Sequence, residues 1–94
     1  MKKFRLYIKG TNFLLISKGK PTKHGFYTTR YVEAEAEDCA EKAAVDLIRL
    51  ELGGKIANKK DDAPIMYVLE IVELESFEDV SVPGKGFTWY YETK

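Results

Sequence analysis

Cysteine and histidine are nearly absent from this sequence, which contains one residue of each, Cys39 and His24. A lone cysteine cannot form an intramolecular disulfide, and one cysteine with one histidine fall short of any usual zinc site. A catalytic Cys-His pair is also disfavoured, because the two residues lie far apart in sequence, in a polar loop and in the first turn of a predicted helix. We therefore expect no metal site and no cofactor, with His24 solvated in its loop.

Long hydrophobic runs are missing as well. The longest apolar run near the start covers only residues 13–16, whereas a secretory signal needs about 7–15 apolar residues after a basic start. Residues 64–74 are apolar but too short for a membrane span, and Glu70 and Glu73 interrupt them. The sequence predicts a cytoplasmic protein that does not bind membranes, which agrees with its single cysteine.

Acidic residues are absent from the first third of the chain. Residues 1–32 contain no Asp or Glu, whereas residues 33–94 contain all fifteen acids, and the net charge is zero. Zero net charge argues against a general nucleic-acid or membrane binder, although the uneven distribution predicts a locally basic region. The bases of this region are Lys2, Lys3, Arg5, Lys9, Lys18, Lys20, Lys23 and Arg30.

The length and composition are those of one folded domain. The chain has 94 residues, of which 45% are hydrophobic and 32% charged. A chain of this size buries roughly 60–65% of its unfolded surface, which is enough for one core. We therefore expect residues 1–94 to form a single α+β domain, whose elements follow from the spacing of apolar side chains.

The beginning of the chain has the pattern of a β-hairpin. Residues 4–9 alternate between apolar and polar or charged side chains, as in a strand with one buried face. Residues 10–12 interrupt this alternation before the apolar residues 13–16, which favours a β-bulge in one long strand over a short turn. The polar residues 18–25, with glycine and proline among them, predict the hairpin loop.

Residues 26–36 are rich in β-branched and aromatic side chains and predict the second strand. One face of this strand carries Tyr27, Thr29, Tyr31 and Glu33, and the other carries Phe26, Thr28, Arg30, Val32 and Ala34. Arg30 is the one charged residue on the second face. It must lie at an open end of the core or be turned outward by a bulge, and the sequence does not distinguish these alternatives.

From residue 37 to residue 52 the apolar spacing becomes helical. Acidic residues near the first turn suit the helix dipole, and the pair Gly53-Gly54 is typical of a helix end. We expect this helix to lie close against the sheet because its apolar stripe is largely alanine. The stripe contains Ala40, Ala43, Ala44, Leu47 and Ile48 or Leu50.

Two further strands complete the predicted fold. Residues 65–74 are too continuously apolar for a half-exposed edge and predict a central strand, and residues 86–92 alternate again. A right-handed crossover through the helix leaves room for the first strand between the second and third. The sequence therefore predicts a β-β-α-β-β fold, with a four-stranded antiparallel sheet of order 2-1-3-4 and one helix packed on one face.

The order of elements is similar to that of HicB-like antitoxin modules, which place a β-β-α-β unit before a separate DNA-binding segment. No residue motif is shared, and the resemblance implies no function.

No group of residues predicts catalysis. Gly19, Gly25, Gly84 and Gly86 lack the spacing of a phosphate-binding loop. The carboxylates of residues 70–79 have ready partners among the N-terminal bases, which favours ion pairs over a catalytic acid-base pair. We expect a protein that is not an enzyme, although a site assembled between two copies leaves no signature in one sequence.

The bases of the predicted hairpin suggest nucleic acid as an alternative partner. Lysine and arginine can follow a phosphate backbone while neighbouring tyrosine rings stack on unpaired bases. If the first and third strands pair, however, Glu70 and Glu73 neutralise some of these bases through cross-strand pairs worth about 0.2–1 kcal/mol each. The uneven charge then has a structural explanation, and nucleic-acid binding is the secondary hypothesis.

The tyrosines of the open sheet face favour a protein partner. Each aromatic side chain covers about 150–250 Å², so three on one face exceed the few hundred Å² that a monomer usually exposes. The simplest way to cover the face is a second copy of the chain, related by a two-fold axis and stacked sheet on sheet. The alternative is that residues 10–18 or 75–86 fold over the face. The sequence predicts a non-enzymatic binding or regulatory module that forms a homodimer through this face. The expected interaction surface contains Arg5, Tyr7, Lys9, Lys18, Lys20, Lys23, Tyr27, Arg30 and Tyr31.

Overall fold

The computed structural model of this protein describes residues 1–17, 19–84 and 86–92. Its elements are β1 (Lys2–Ser17), β2 (Lys20–Ala34), α1 (Glu37–Leu52), a short 3-10 helix (Lys60–Asp62), β3 (Ile65–Leu74) and β4 (Thr88–Tyr91). The bounds of α1 and β3 are those that the apolar spacing predicts. β2 begins at Lys20 rather than at residue 26, because the distal half of β1 continues to pair with it beyond the bulge.

The four strands form one antiparallel sheet of order β3-β1-β2-β4, which confirms the predicted α+β class and the position of β1 between β2 and β3. β4 pairs with β2, whereas the predicted order placed it beside β3. The cause is aromatic packing, since Trp89 lies opposite Phe26 with the ring centres 5.3 Å apart. β3 is therefore an edge strand rather than a central one, and Ile65, Tyr67 and Leu69 are exposed on it.

The predicted bulge in β1 is confirmed. The register between β1 and β2 shifts between Gly10 and Phe13, and Asn12 adopts a φ of 61°, a left-handed backbone that asparagine tolerates better than most residues. The Asn12 backbone N–H donates a hydrogen bond to the Glu92 carboxylate at 2.9 Å, and its side-chain amide donates to the Asp62 carboxylate at 2.8 Å. Segments distant in sequence thus hold the bulge in place.

The core lies between α1 and the sheet. The helix buries Ala40, Ala44, Ile48 and Leu52, and the strands bury Phe4, Leu6, Ile8, Phe13, Phe26, Val32 and Ala34. Each fully buried large apolar side chain contributes about 1.5–3 kcal/mol, and the alanines allow close approach of helix and sheet. Leu50, the alternative member of the predicted stripe, is 80% exposed. Among the described residues, no helix is long and apolar enough to cross a membrane.

His24 is buried, which corrects the expectation of a solvated loop histidine. Because β2 starts at Lys20, His24 lies within the strand. Its ring centre is 4.8 Å from that of Tyr91 and 6.0 Å from that of Trp89, and its Nδ1 lies 2.9 Å from the Thr22 carbonyl oxygen. The imidazole therefore has a packing role between β2 and β4.

Candidate interaction surface

The side of the sheet opposite α1 carries a set of side chains that we call the tyrosine face. Residues that lie directly opposite each other in antiparallel strands share a face. The β1 residues that point away from α1, together with the residues opposite them, therefore define the members of the tyrosine face. The alternation that buries Leu6 and Ile8 places their neighbours on this side. The tyrosine face consists of Arg5, Tyr7 and Lys9 of β1, Tyr27, Thr29 and Tyr31 of β2, Tyr67, Glu70 and Val72 of β3, and Thr88 and Tyr90 of β4.

Three tyrosine rings form a row across β1, β2 and β4. The ring centres of Tyr7 and Tyr27 are 5.8 Å apart with an interplanar angle of 14°, and those of Tyr27 and Tyr90 are 5.7 Å apart at 33°. Lys9 places its ammonium group 5.7 Å from the Tyr27 ring centre, within the range of a cation–π contact. Gly25 is required beneath this row, since a Cβ there would overlap the Tyr90 ring. The row presents a continuous aromatic surface.

The connection between β3 and β4 rises over one end of the tyrosine face, and we call residues 77–84 of it the wall. The ring centres of Phe77 and Tyr31 are 6.1 Å apart with the planes nearly perpendicular, and the Tyr31 backbone N–H donates to the Pro83 carbonyl at 2.9 Å. Between the wall and the face lies an open concavity of about 730 Å³, lined on the wall side by residues 79–81. The wall therefore closes one end of the face.

The two ends of the tyrosine face differ in exposure. Of the two segments that the sequence offers as covers, residues 10–17 belong to β1, and residues 77–84 lie against Thr29 and Tyr31 of β2. Tyr7, in the middle of the face, is 39% exposed, and Tyr67, at the far end, is 48% exposed. A partner therefore has access to the middle and to the far end.

Arg30 lies on the helix side and is only 1% exposed, so it is not part of the exposed surface predicted for it. It occupies the open end of the core, the first of the two alternatives. Its guanidinium donates to the Glu51 carboxylate at 2.9 Å and to the carbonyls of Gly84 at 2.6 Å and Gly86 at 3.2 Å, and lies 5.0 Å from the Phe87 ring centre. Burial lowers the pKa of Arg30, and the charge and hydrogen bond of Glu51 oppose this shift. Arg30 thus ties the end of α1 and the wall to β2.

Acids accompany the bases on and beside the tyrosine face. Arg5 lies 3.5 Å from the Glu70 carboxylate, and Lys3 lies opposite Glu33 in the register of β1 and β2. The prediction that Glu70 offsets part of the N-terminal charge is confirmed for Arg5. Exposed pairs of this kind contribute only about 0–1 kcal/mol to stability, but they reduce the local positive potential.

The remaining predicted bases of β2 lie towards its start, beyond Tyr27. Lys23 lies 3.9 Å from the Asp62 carboxylate, and Lys20 is exposed at the start of β2. Lys18 lies outside the described residues. The structure therefore brings together Arg5, Tyr7, Lys9, Tyr27 and Tyr31 of the predicted surface. Alternation along β2 places Lys23 on the same side of the sheet, four residues from Tyr27, whereas Arg30 is buried on the helix side.

Tyr67 and Tyr90 belong to the tyrosine face but were not among its predicted members. Tyr90 had a detectable signal, because the alternation that assigns Trp89 to the core places Tyr90 on the opposite side. Tyr67 had none, because the apolar run of β3 does not alternate and a register shift between Tyr7 and Ile8 decides which of its residues share the face.

No group of three or more His, Cys, Asp or Glu side chains is placed to hold a metal ion within residues 1–17, 19–84 and 86–92. Cys39 is exposed in the first turn of α1, while His24 is buried in β2. Comparisons with protein-family models, curated proteins and solved structures find no match for this chain. The tyrosine face is the feature from which a function can be proposed.

Proposed function

We propose that this protein is a non-enzymatic cytoplasmic interaction module whose tyrosine face binds a protein partner. The observation that carries this proposal is the row of Tyr7, Tyr27 and Tyr90 on an open sheet face, with Tyr67 exposed beside it. Tyrosine is enriched at the strongest contacts of protein interfaces, because it buries a large area and keeps a hydroxyl for hydrogen bonding. The free thiol of Cys39 suits the reducing cytoplasm.

The charges around the tyrosines support a protein partner over a polyanion. Arg5 is beside Glu70, and the wall adds the exposed Glu78 and Asp79. A phosphate backbone is repelled by these carboxylates, whereas a protein interface accommodates both signs around an aromatic centre. The tyrosine face has this mixed pattern.

The proposal is tested by affinity capture from an extract of the source cells, with an untagged copy of this protein added to the same extract. We expect bound protein to be lost when Tyr7→Ala and Tyr67→Ala are combined, because both rings are exposed on the face. Leu50→Ala is the matched control, since Leu50 is an exposed apolar residue on α1 outside the face. Equal capture by the tyrosine variant and the wild type would remove the tyrosine face as the binding site.

Nucleic acid is a second candidate because Lys9 lies above Tyr27 within a stacked row, an arrangement that serves single-stranded binding in other proteins. This candidate predicts that short labelled single-stranded oligonucleotides bind at low salt and are released as the salt rises. It also predicts loss of binding in Lys9→Glu. Unchanged fluorescence anisotropy at low salt would exclude it.

A further inference from the structure

The tyrosine face is uneven in shape, and this limits what can cover it. The wall rises at the end where Tyr31 lies, while the end marked by Lys9 and Tyr67 has no such covering among the described residues. A flat partner surface would meet the wall before it reached Tyr7. A partner with its own raised edge, set at the opposite end, fits both halves of the face.

Charge also differs between the two ends of the face. The wall carries the exposed Glu78 and Asp79, while the open end carries Lys9. Arg5, nearer the wall, already lies 3.5 Å from Glu70. The face is therefore acidic at its high end and basic at its low end, and its best complement is acidic where this face is basic.

A second copy of the same face, rotated by a half turn about an axis perpendicular to the contact, matches this face in both height and charge. We infer that the partner of the tyrosine face is a second copy of this chain, stacked face to face about a two-fold axis so that each wall covers the open end of the other copy. This inference rests on the proposed function and names its partner. Asp79 of each copy then approaches Lys9 of the other, and the two rows of tyrosines meet at the centre.

The size of the face is sufficient for such a dimer. A face four strands wide and seven residues long measures roughly 19 Å by 24 Å from the usual strand spacing and rise. Two such faces with their side chains bury on the order of 1,000 Å² together, which is the lower limit for a specific interface. We therefore expect a reversible dimer with a dissociation constant on the order of micromolar rather than an obligate one.

Light scattering coupled to size exclusion, over a range of protein concentrations, measures this equilibrium directly. We expect the mass to rise from the 10.8 kDa of one chain towards that of two. Tyr7→Glu places a charge at the centre of the contact and should weaken the dimer by at least about a hundredfold, consistent with loss of a central aromatic contact. Leu50→Glu is the matched control and should leave the mass unchanged, since Leu50 lies on α1. Far-UV circular dichroism checks that both variants remain folded.

A charge exchange tests the two-fold arrangement itself. Lys9→Glu and Asp79→Lys should each weaken the dimer by about tenfold or more, because each brings like charges together across the interface. The double variant should regain most of the lost affinity, since the two new charges again face each other as opposites. This rescue is expected only if residue 9 of one copy meets residue 79 of the other.

The outcomes separate this inference from the proposed function. A wild-type protein that remains monomeric at all concentrations overturns the inference, as does a dimer that is indifferent to Tyr7→Glu or a charge exchange without rescue. If the monomer still captures another protein through Tyr7 and Tyr67, the proposed function stands with a different partner. If it captures nothing through these residues, both are overturned.

Discussion

The two sides of the sheet contain aromatic rings at similar distances but in different surroundings. On the helix side, the Phe26 ring centre lies 5.0 Å from Phe13 and 4.9 Å from Phe87, and Phe26 is fully buried. On the other side, Tyr27 lies 5.8 Å from Tyr7, and the row remains open to solvent at Tyr7. Ring contact is therefore common to both sides, whereas among residues 1–17, 19–84 and 86–92 a helix layer covers one side and the wall covers only part of the other.

Under the proposed function, the same strands serve stability on one side of the sheet and recognition on the other. Burial of apolar area, rather than ring contact alone, supplies most of the free energy of folding. The helix side has that burial because the alanines of α1 allow the helix to lie against β1 and β2. The tyrosine face retains the area that a partner can still bury, which is why substitutions there should affect association more than folding.

Phe26→Ala and Tyr27→Ala test this difference at adjacent positions of β2. Phe26→Ala should lower the free energy of unfolding by about 3–5 kcal/mol, because it leaves a cavity among buried rings. Tyr27→Ala should lower it by only about 1 kcal/mol or less, since its site is half-buried and can be filled by water. Urea unfolding followed by circular dichroism at one low protein concentration gives both values. Similar losses at the two positions would show that the tyrosine face belongs to the folding core.

Glu51→Ala tests the contact that joins the two sides at the wall. It leaves the guanidinium of Arg30 buried without its carboxylate, which we expect to cost about 2–3 kcal/mol, less than a fully buried pair because the Glu51 side chain is 37% exposed. Glu51→Gln keeps a hydrogen-bond acceptor and should cost less. Hydrogen exchange at the Tyr31 amide, which donates to Pro83, should quicken in Glu51→Ala if Arg30 holds the wall in place. Unchanged exchange would mean that the wall is held without Arg30.

The spacing of apolar side chains predicts those parts of the fold that interactions within a single helix or strand determine. α1 was predicted at its observed bounds because helical spacing, acidic first-turn residues and two glycines act within the helix. The faces of β2 followed from its alternation, which identified Tyr27 and Tyr31 as neighbours of Tyr7. The bounds of α1 and the faces of β2 need no knowledge of which elements meet, whereas placing Tyr27 and Tyr31 beside Tyr7 also needs the predicted pairing of β1 with β2.

The parts that sequence could not predict depend on contacts between distant segments. The place of β4 beside β2 is decided by Phe87 and Trp89 packing on Phe26. The position of Arg30 depends on carbonyl groups beyond residue 83, and alternation gives its face but not what covers it. The wall likewise depends on a long connection whose composition indicates a loop but not its path.

Two glycines allow the comparison with the smallest expected effects between the helix side of the sheet and the tyrosine face. Each glycine lies opposite an aromatic residue of a neighbouring strand. A Cβ at Gly10 would overlap the Phe26 ring in the core, and a Cβ at Gly25 would overlap the Tyr90 ring on the tyrosine face. Gly10→Ala should cost about 1–2 kcal/mol, because the closely packed core cannot move Phe26 without strain. Gly25→Ala should cost less in folding, since Tyr90 can turn towards solvent, but it breaks the row and should weaken association by about tenfold. Unfolding and light scattering on both variants measure these effects, and a Gly25→Ala protein with unchanged association would show that Tyr90 is outside the contact.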